Sequence, residues 1–196
     1  MQVGVLAVQG DFAEHERALA LCGVASREVR RPGDFANLQG LVLPGGESTT
    51  MLRLLASEGL EAPLLATIAS GIPVLATCAG MILLARAVTQ PVQRSFSVLD
   101  IAVARNGYGR QIASGTFALG SERWPGLQGV FIRAPRILSV GPAVEVLARR
   151  GPDPVVVAER NVLAACFHPE LEARHPLTLH FVDCVRKHAM NLQCQP

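Results

Sequence analysis

The chain has 196 residues, of which 49% are hydrophobic and only 17% charged, and its net charge is +2. That length suits one well-buried α/β domain and is short for two ordinary ones. The basic residues are nearly all Arg, scattered, with Lys187 the only Lys, which excludes the footprint of a nucleic-acid or membrane-surface binder. The apolar runs are too short for a membrane span. Met1 to Val8 has no basic leader region and enters a strand directly, so no signal peptide is expected. Five cysteines, at 22, 78, 166, 184 and 194, are odd in number and lack Cys-x-x-Cys spacing. They argue against a disulfide framework or zinc site and for a reducing cytoplasm.

In chain order, Gln2 to Val8 reads as a strand, followed by a turn at Gln9-Gly10-Asp11 and a helix over Phe12 to Leu21 stopped by Gly23. His15 on that helix reads as a solvated or packing residue, with no chemistry assigned. Ser26 to Arg30 is a shorter strand and Gly40 to Leu43 another. The latter runs into Pro44-Gly45-Gly46-Glu47-Ser48-Thr49-Thr50. Its glycines can present backbone N–H groups, and Ser48 or Thr49 can cap a helix over Met51 to Glu58. The loop suits an ordinary turn or an anion cradle equally; the phosphate-loop pattern with its Lys is absent.

Glu61 to Ser70 reads as a helix, Pro73 to Thr77 as a strand buried on both faces. From Ala79 the chain reads as a buried helix. Thr89 to Phe96 is a polar loop. Leu99 to Ala104, Gln111 to Leu119, Gly129 to Arg133 and Val144 to Ala148 read as strands. Val155 to Glu159 and Val162 to Phe167 form a hairpin. An amphipathic helix over Pro176 to Met190 closes the chain, with Pro in its first turn. His175, His180 and His188 are expected to be surface or packing residues.

Cys78 sits where the fourth strand meets a helix, flanked by Ala76, Thr77, Ala79 and Gly80. A strand that turns sharply into a helix presents a nucleophile at the corner, where the helix start favours thiolate and leaves a backbone N–H for an oxyanion. A lone Cys in an apolar run is ordinarily a small buried hydrophobe. What shifts the balance is Phe167-His168-Pro169-Glu170. Extended residues two apart face the same side, so Glu170 can hold the His168 imidazole in one tautomer while the other nitrogen faces a thiol. Arg105 and Arg133 suit a carboxylate through bidentate pairing, or an ordinary surface ion pair.

The motifs Pro-Gly-Gly-Glu-Ser-Thr-Thr, Thr-Cys-Ala-Gly, Arg105-Asn-Gly-Tyr-Gly-Arg-Gln111, Phe131-Ile-Arg-Ala-Pro135 and Phe167-His-Pro-Glu170 occur in one order. In this the chain closely resembles the glutaminase subunits of pyridoxal 5′-phosphate synthase, within the class I (triad) glutamine amidotransferases. The resemblance covers nearly the whole chain. It implies a single-domain, three-layer α/β/α sandwich with a mostly parallel, flavodoxin-like central sheet. It also implies hydrolysis of L-glutamine by Cys78 as nucleophile, His168 as base and acid, and Glu170 as orienter. Gly46 and Ala79 would supply the oxyanion hole, and Gly46, Glu47, Ser48, Arg105, Ile132 and Arg133 would contact glutamine. One departure is Ala76, where the family's elbow usually has Gly; a slightly shifted strand end is expected. The partner implied is a (β/α)₈-barrel synthase subunit in a many-copy complex, with no metal or organic cofactor in this chain. Rival readings are the glutaminase of another pathway such as histidine biosynthesis, a Cys-His-Glu peptidase, and a non-catalytic scaffold.

Overall fold

The computed structural model describes residues 1–108 and 114–193. Gly109, Arg110, Gln111 and the start of the strand expected from Gln111, like Cys194, lie outside the described residues. In chain order the strands are β1 (Gln2–Leu6), β2 (Ala25–Val29), β3 (Gly40–Leu43), β4 (Val74–Thr77), β5 (Ala85–Thr89), β6 (Leu99–Ala104), β7 (Gly115–Ala118), β8 (Gln128–Phe131), β9 (Arg136–Val140), β10 (Glu145–Arg150), β11 (Asp153–Glu159) and β12 (Val162–Ala165). The helices are α1 (Phe12–Leu21), α2 (Ser48–Ser57), α3 (Glu61–Ala69), α4 (Ala79–Leu84) and α5 (Pro176–Gln193).

Seven strands form the central sheet in the order β10-β11-β12-β4-β3-β1-β2. The five from β12 to β2 are parallel, and the β10–β11–β12 edge is antiparallel. β3, β4 and β12 are buried at every position, as continuous apolar strands covered on both faces must be. The β1→β2 and β3→β4 connections run in opposite directions across the sheet. Right-handed crossovers therefore put α1 on one face and α2–α3 on the other, giving three layers. α5 joins α1: Phe181 and Val185 lie against Gly40, where a β-carbon would come 2.6 Å from Val185. The direction of winding reverses between β1 and β3, and the crevice beyond their carboxyl ends is where such sheets bind ligands.

Several elements depart from the sequence reading. β5 and β9 were not expected; with β6 they form a separate three-stranded sheet. α2 starts at Ser48, capped by neither Ser48 nor Thr49: the Glu47 carboxylate accepts from Thr49 and Thr50 N–H. Residues Pro169–Leu171 form a short 3₁₀ turn, so His168 and Glu170 meet through a turn and not along an extended strand. Ala76 stays in register with Leu43 and Ala164, so its methyl group leaves the strand end paired.

Candidate active site

Three adjacent parallel strands, β3, β4 and β12, end at the same edge, so the three loops that follow them converge. Cys78 follows β4 and makes the corner into α4 with φ 46° and ψ −103°, a conformation costing about 1–3 kcal/mol for a residue with a β-carbon. Neighbours on both sides hold it there. Its N–H donates to Ala165 O of β12 at 2.8 Å, and Gly80 N–H donates to Pro44 O, just after β3, at 3.1 Å. Gly80 must be Gly, because a β-carbon would run into the Leu43 carbonyl. The strain at Cys78 is thus imposed by the parallel ladder, and it lifts the thiol out of the strand end.

The loop after β3 packs on the loop after β1. Asp11 N–H donates to Gly45 O at 3.1 Å, and Glu47 N–H donates to the Gln9 side-chain carbonyl at 2.7 Å. Gly46 takes φ 155°, with Gln9 so close that a β-carbon would sit 2.6 Å from its Oε1. The Gly45-Gly46 pair therefore passes between Gln9-Gly10 on one side and the His168 ring on the other.

His168 leaves β12 with its N–H bonded to Val130 O of β8 at 2.9 Å. Its Nδ1 lies 2.7 Å from Glu170 Oε1, and Cys78 is, with Glu170, one of the two neighbours that push its pKa up. All three are nearly inaccessible: Cys78 is 7%, His168 4% and Glu170 4% exposed. Burial lowers the pKa of His168, but hydrogen bonds to Cys78 and Glu170 outweigh it and raise the value to about 10. Burial raises the pKa of Glu170, and the two neighbouring imidazoles, His15 and His168, outweigh it so that the net direction is down. Both directions favour the charged forms, a carboxylate behind an imidazolium.

A cavity of about 140 Å³ opens in front of Cys78, lined by Gly46, Glu47, Ser48, Cys78, Ile82, Arg105, Asn106, Ile132 and Arg133. Every residue the sequence put forward for glutamine contact lines it, with Ile82 and Asn106 in addition. Glu47 is central: besides capping α2 it bonds Arg105 Nη2 at 2.7 Å. Its pKa falls to about 2, because the Thr50 N–H and hydroxyl and the Thr49 N–H outweigh its partial burial. Ser48 is buried and donates to Gln93 Oε1 at 2.9 Å. Arg133 has φ 45°, and its N–H donates to Ser114 Oγ at 3.2 Å, which fixes the Ile132-Arg133 corner at the cavity rim. Ala79 is the first residue of α4, where a backbone N–H has no partner within the helix.

His15 differs from its sequence expectation. It is 1% exposed, and its Nε2 lies 3.2 Å from Glu170 Oε2 and 3.0 Å from Thr77 Oγ1. A helical position with no motif around it gave no sign of this; only the fold brings α1 under the turn after β12. Asp11, 3.4 Å from His168 Nδ1, completes a group with His168 and Glu170 whose ligand atoms lie within 4.8 Å. A metal there would displace the His168–Glu170 hydrogen bond itself. Of the other histidines, His175 is a packing residue, with Nε2–H donating to Gln128 O at 2.9 Å and Nδ1 accepting from Leu177 N–H at 3.1 Å.

Residues 5–187 match the SNO glutamine amidotransferase family. The chain belongs to that family. The SNO member is 46% identical over 191 residues to the pyridoxal 5′-phosphate synthase subunit PdxT of Thermotoga maritima, covering 95% of this chain and 100% of the relative. It is 47% identical over 189 residues to the subunit of the same name from Streptomyces griseus subsp. griseus, covering 94% and 95%. Among solved structures, a glutamine amidotransferase crystal structure superimposes with a TM-score of 0.86 at 42% identity, covering 94% of this chain and 98% of that one. The structure of PurLQS from Thermotoga maritima matches with a TM-score of 0.64 at 16% identity, covering 98% of both chains, and shows the shared fold alone. Among the described residues no helix is long and apolar enough to cross a membrane.

Proposed function

We propose that this chain is the glutaminase subunit of a pyridoxal 5′-phosphate synthase, hydrolysing L-glutamine to L-glutamate and ammonia. The observation that carries the reading is Cys78, strained at the head of α4, facing an imidazole whose far nitrogen is bonded to a buried carboxylate. Membership of the family and the naming of its relatives supply the substrate class and the pathway.

In this reading Glu47, Arg105 and the Ile132-Arg133 corner orient the α-amino and α-carboxylate groups at the cavity rim, and the side-chain amide extends towards Cys78. The sulfur attacks the amide carbon, forming a C–S bond and a tetrahedral oxyanion. The N–H groups of Gly46 and Ala79 stabilise that charge; removing one such donor typically costs about 10²–10³-fold in rate. His168 enters as imidazolium and protonates the departing nitrogen, so the C–N bond breaks to ammonia and a thioester remains. Neutral His168 then takes a proton from water, whose oxygen attacks the thioester. The C–S bond breaks, glutamate leaves, and Cys78 and the imidazolium are restored. Glu170 keeps Nδ1 protonated and the ring fixed throughout.

Ammonia released into neutral water is protonated and loses its nucleophilicity, so direct delivery to a synthase is the sensible arrangement. The partner is a barrel-type synthase subunit in a hetero-oligomer, located with this chain in the cytoplasm. Glutamate release measured with and without synthase tests this: activity should be low alone, rise on docking, and vanish in Cys78→Ser. Full activity of the isolated chain would remove the docking requirement, and activity in Cys78→Ser would remove the mechanism.

A further inference from the structure

Glu170 has two carboxylate oxygens, and the reaction described above accounts for one. Oε1 meets His168 Nδ1 at 2.7 Å. Oε2 is buried, and among the described residues no hydrogen bond of ordinary geometry reaches it. The polar atom facing it is His15 Nε2, at 3.2 Å, between side chains 2% and 0% exposed. The same nitrogen lies 3.0 Å from Thr77 Oγ1, the residue directly before Cys78. A carboxylate oxygen only accepts, so the nitrogen facing it calls for a proton, and the Thr77 hydroxyl oxygen is free to accept from the same N–H.

We propose that His15 is a positioning residue for the glutaminase reaction: its Nε2–H holds the outer oxygen of Glu170 and ties it to the strand end that carries Cys78. The proposal rests on the Cys78, His168 and Glu170 roles given above. Besides Glu170, the titratable groups facing the ring are His168 and Asp11, and burial is the main cause that lowers the pKa of His15. That direction favours the neutral imidazole, so the 3.2 Å approach to Oε2 brings a neutral ring to a carboxylate and is not an ion pair.

The physical need is plain. A carboxylate oxygen buried without a donor is costly, and Glu170 can relieve that cost by rotating or by taking up a proton. Either response withdraws Oε1 from His168 Nδ1 and lets the ring turn away from Cys78. A donor at Oε2 removes the incentive. Because α1 also meets the turn that carries Glu170, a shift of that helix would reach the triad through this one ring.

The test compares His15→Leu and His15→Gln with the native chain, each assayed as glutamate release with the synthase subunit present. Glutamine can place its amide N–H₂ near the position of Nε2, whereas leucine fills the space without a donor. His15→Leu should lower kcat roughly 10- to 100-fold, the scale of a 1 Å misplacement near the reacting atoms, with KM unchanged, and His15→Gln should recover most of kcat. Native kcat in folded His15→Leu, or equal loss in both variants, would overturn the proposal. Should His15→Leu fail to fold, ¹⁵N-histidine NMR of the native chain decides it. A neutral Nε2–H tautomer at His15 supports the proposal, and an Nδ1–H tautomer contradicts it. Cys78→Ser separates the two levels. If that variant still releases glutamate, the reading of the site falls and this proposal with it. If it is inactive while His15→Leu is fully active, only the proposal falls.

Discussion

The ring of His168 lies directly on the α-carbon of Gly45, so that a β-carbon at position 45 would overlap Cε1. Gly45 is not in the left-handed region, so alanine is acceptable to its backbone and objectionable chiefly to the ring, with the half-exposed Asp11 carboxylate, 3.2 Å from that β-carbon, the other neighbour that must give. Gly45→Ala should leave folding cooperative and lower kcat roughly 10²-fold by displacing the imidazole, the magnitude expected from about 1 Å of misplacement. Thermal unfolding and glutaminase kinetics on the same preparation check both halves.

Glu47 links stability to the substrate cavity. Its lowered pKa means the ionised form is favoured by folding. That contribution is complete above the ordinary carboxylate value of 4.5 and is lost as pH falls towards about 2. The side chain is 48% exposed, so solvent screening reduces its worth, and the helix cap sets the scale. Glu47→Ala should cost about 1 kcal/mol and flatten the decline of the melting temperature between pH 4.5 and 2. Calorimetry across that range reads it, and a rise in KM for glutamine accompanies it.

His168 titrates in the opposite sense. Its raised pKa gives a stabilising contribution complete below its ordinary value of 6.5 and lost as pH rises through about 10. Histidine NMR of the free chain should show one ring still protonated well above neutrality. Cys78→Ala, which deletes one of the two hydrogen bonds raising it, should move that midpoint down; an unmoved midpoint would mean the sulfur is not its partner.

Arg105 is 19% exposed in its side chain and bonded to Glu47. Arg105→Lys keeps the charge and removes the planar fork. Losing a charge-assisted bond of about 1.5–3 kcal/mol should raise KM roughly 10- to 100-fold with little change in kcat, as initial-rate kinetics would show.

The sequence placed the cavity residues only through the motif resemblance: Gly46, Glu47 and Ser48 follow β3, Arg105 follows β6 and Ile132-Arg133 follow β8, strands of three separate sheets that meet around Cys78 only in the fold. It missed β5 because Ala85-Arg-Ala-Val-Thr continues the composition of α4 without a break, and β9 because Arg136 follows a proline that reads as a turn. Glu47 as the cap of α2 was hidden by the hydroxyl residues beside it, which are better known caps. His15 could not be found at all. Its partners come from β4 and the turn after β12, and nothing local marks a histidine on an amphipathic helix as facing a carboxylate.

Four cysteines lie in the described residues and none is disulfide-bonded. Burial pushes up the thiols of Cys22, Cys166 and Cys184, whereas Cys78 faces both the imidazole and the cavity. A glutamine-derived chloroketone followed by peptide mass spectrometry therefore tests the nucleophile directly. One adduct on Cys78, suppressed by glutamine and matched by loss of glutamate release, is the expected result. An adduct on another cysteine, or activity that survives full modification of Cys78, would contradict it.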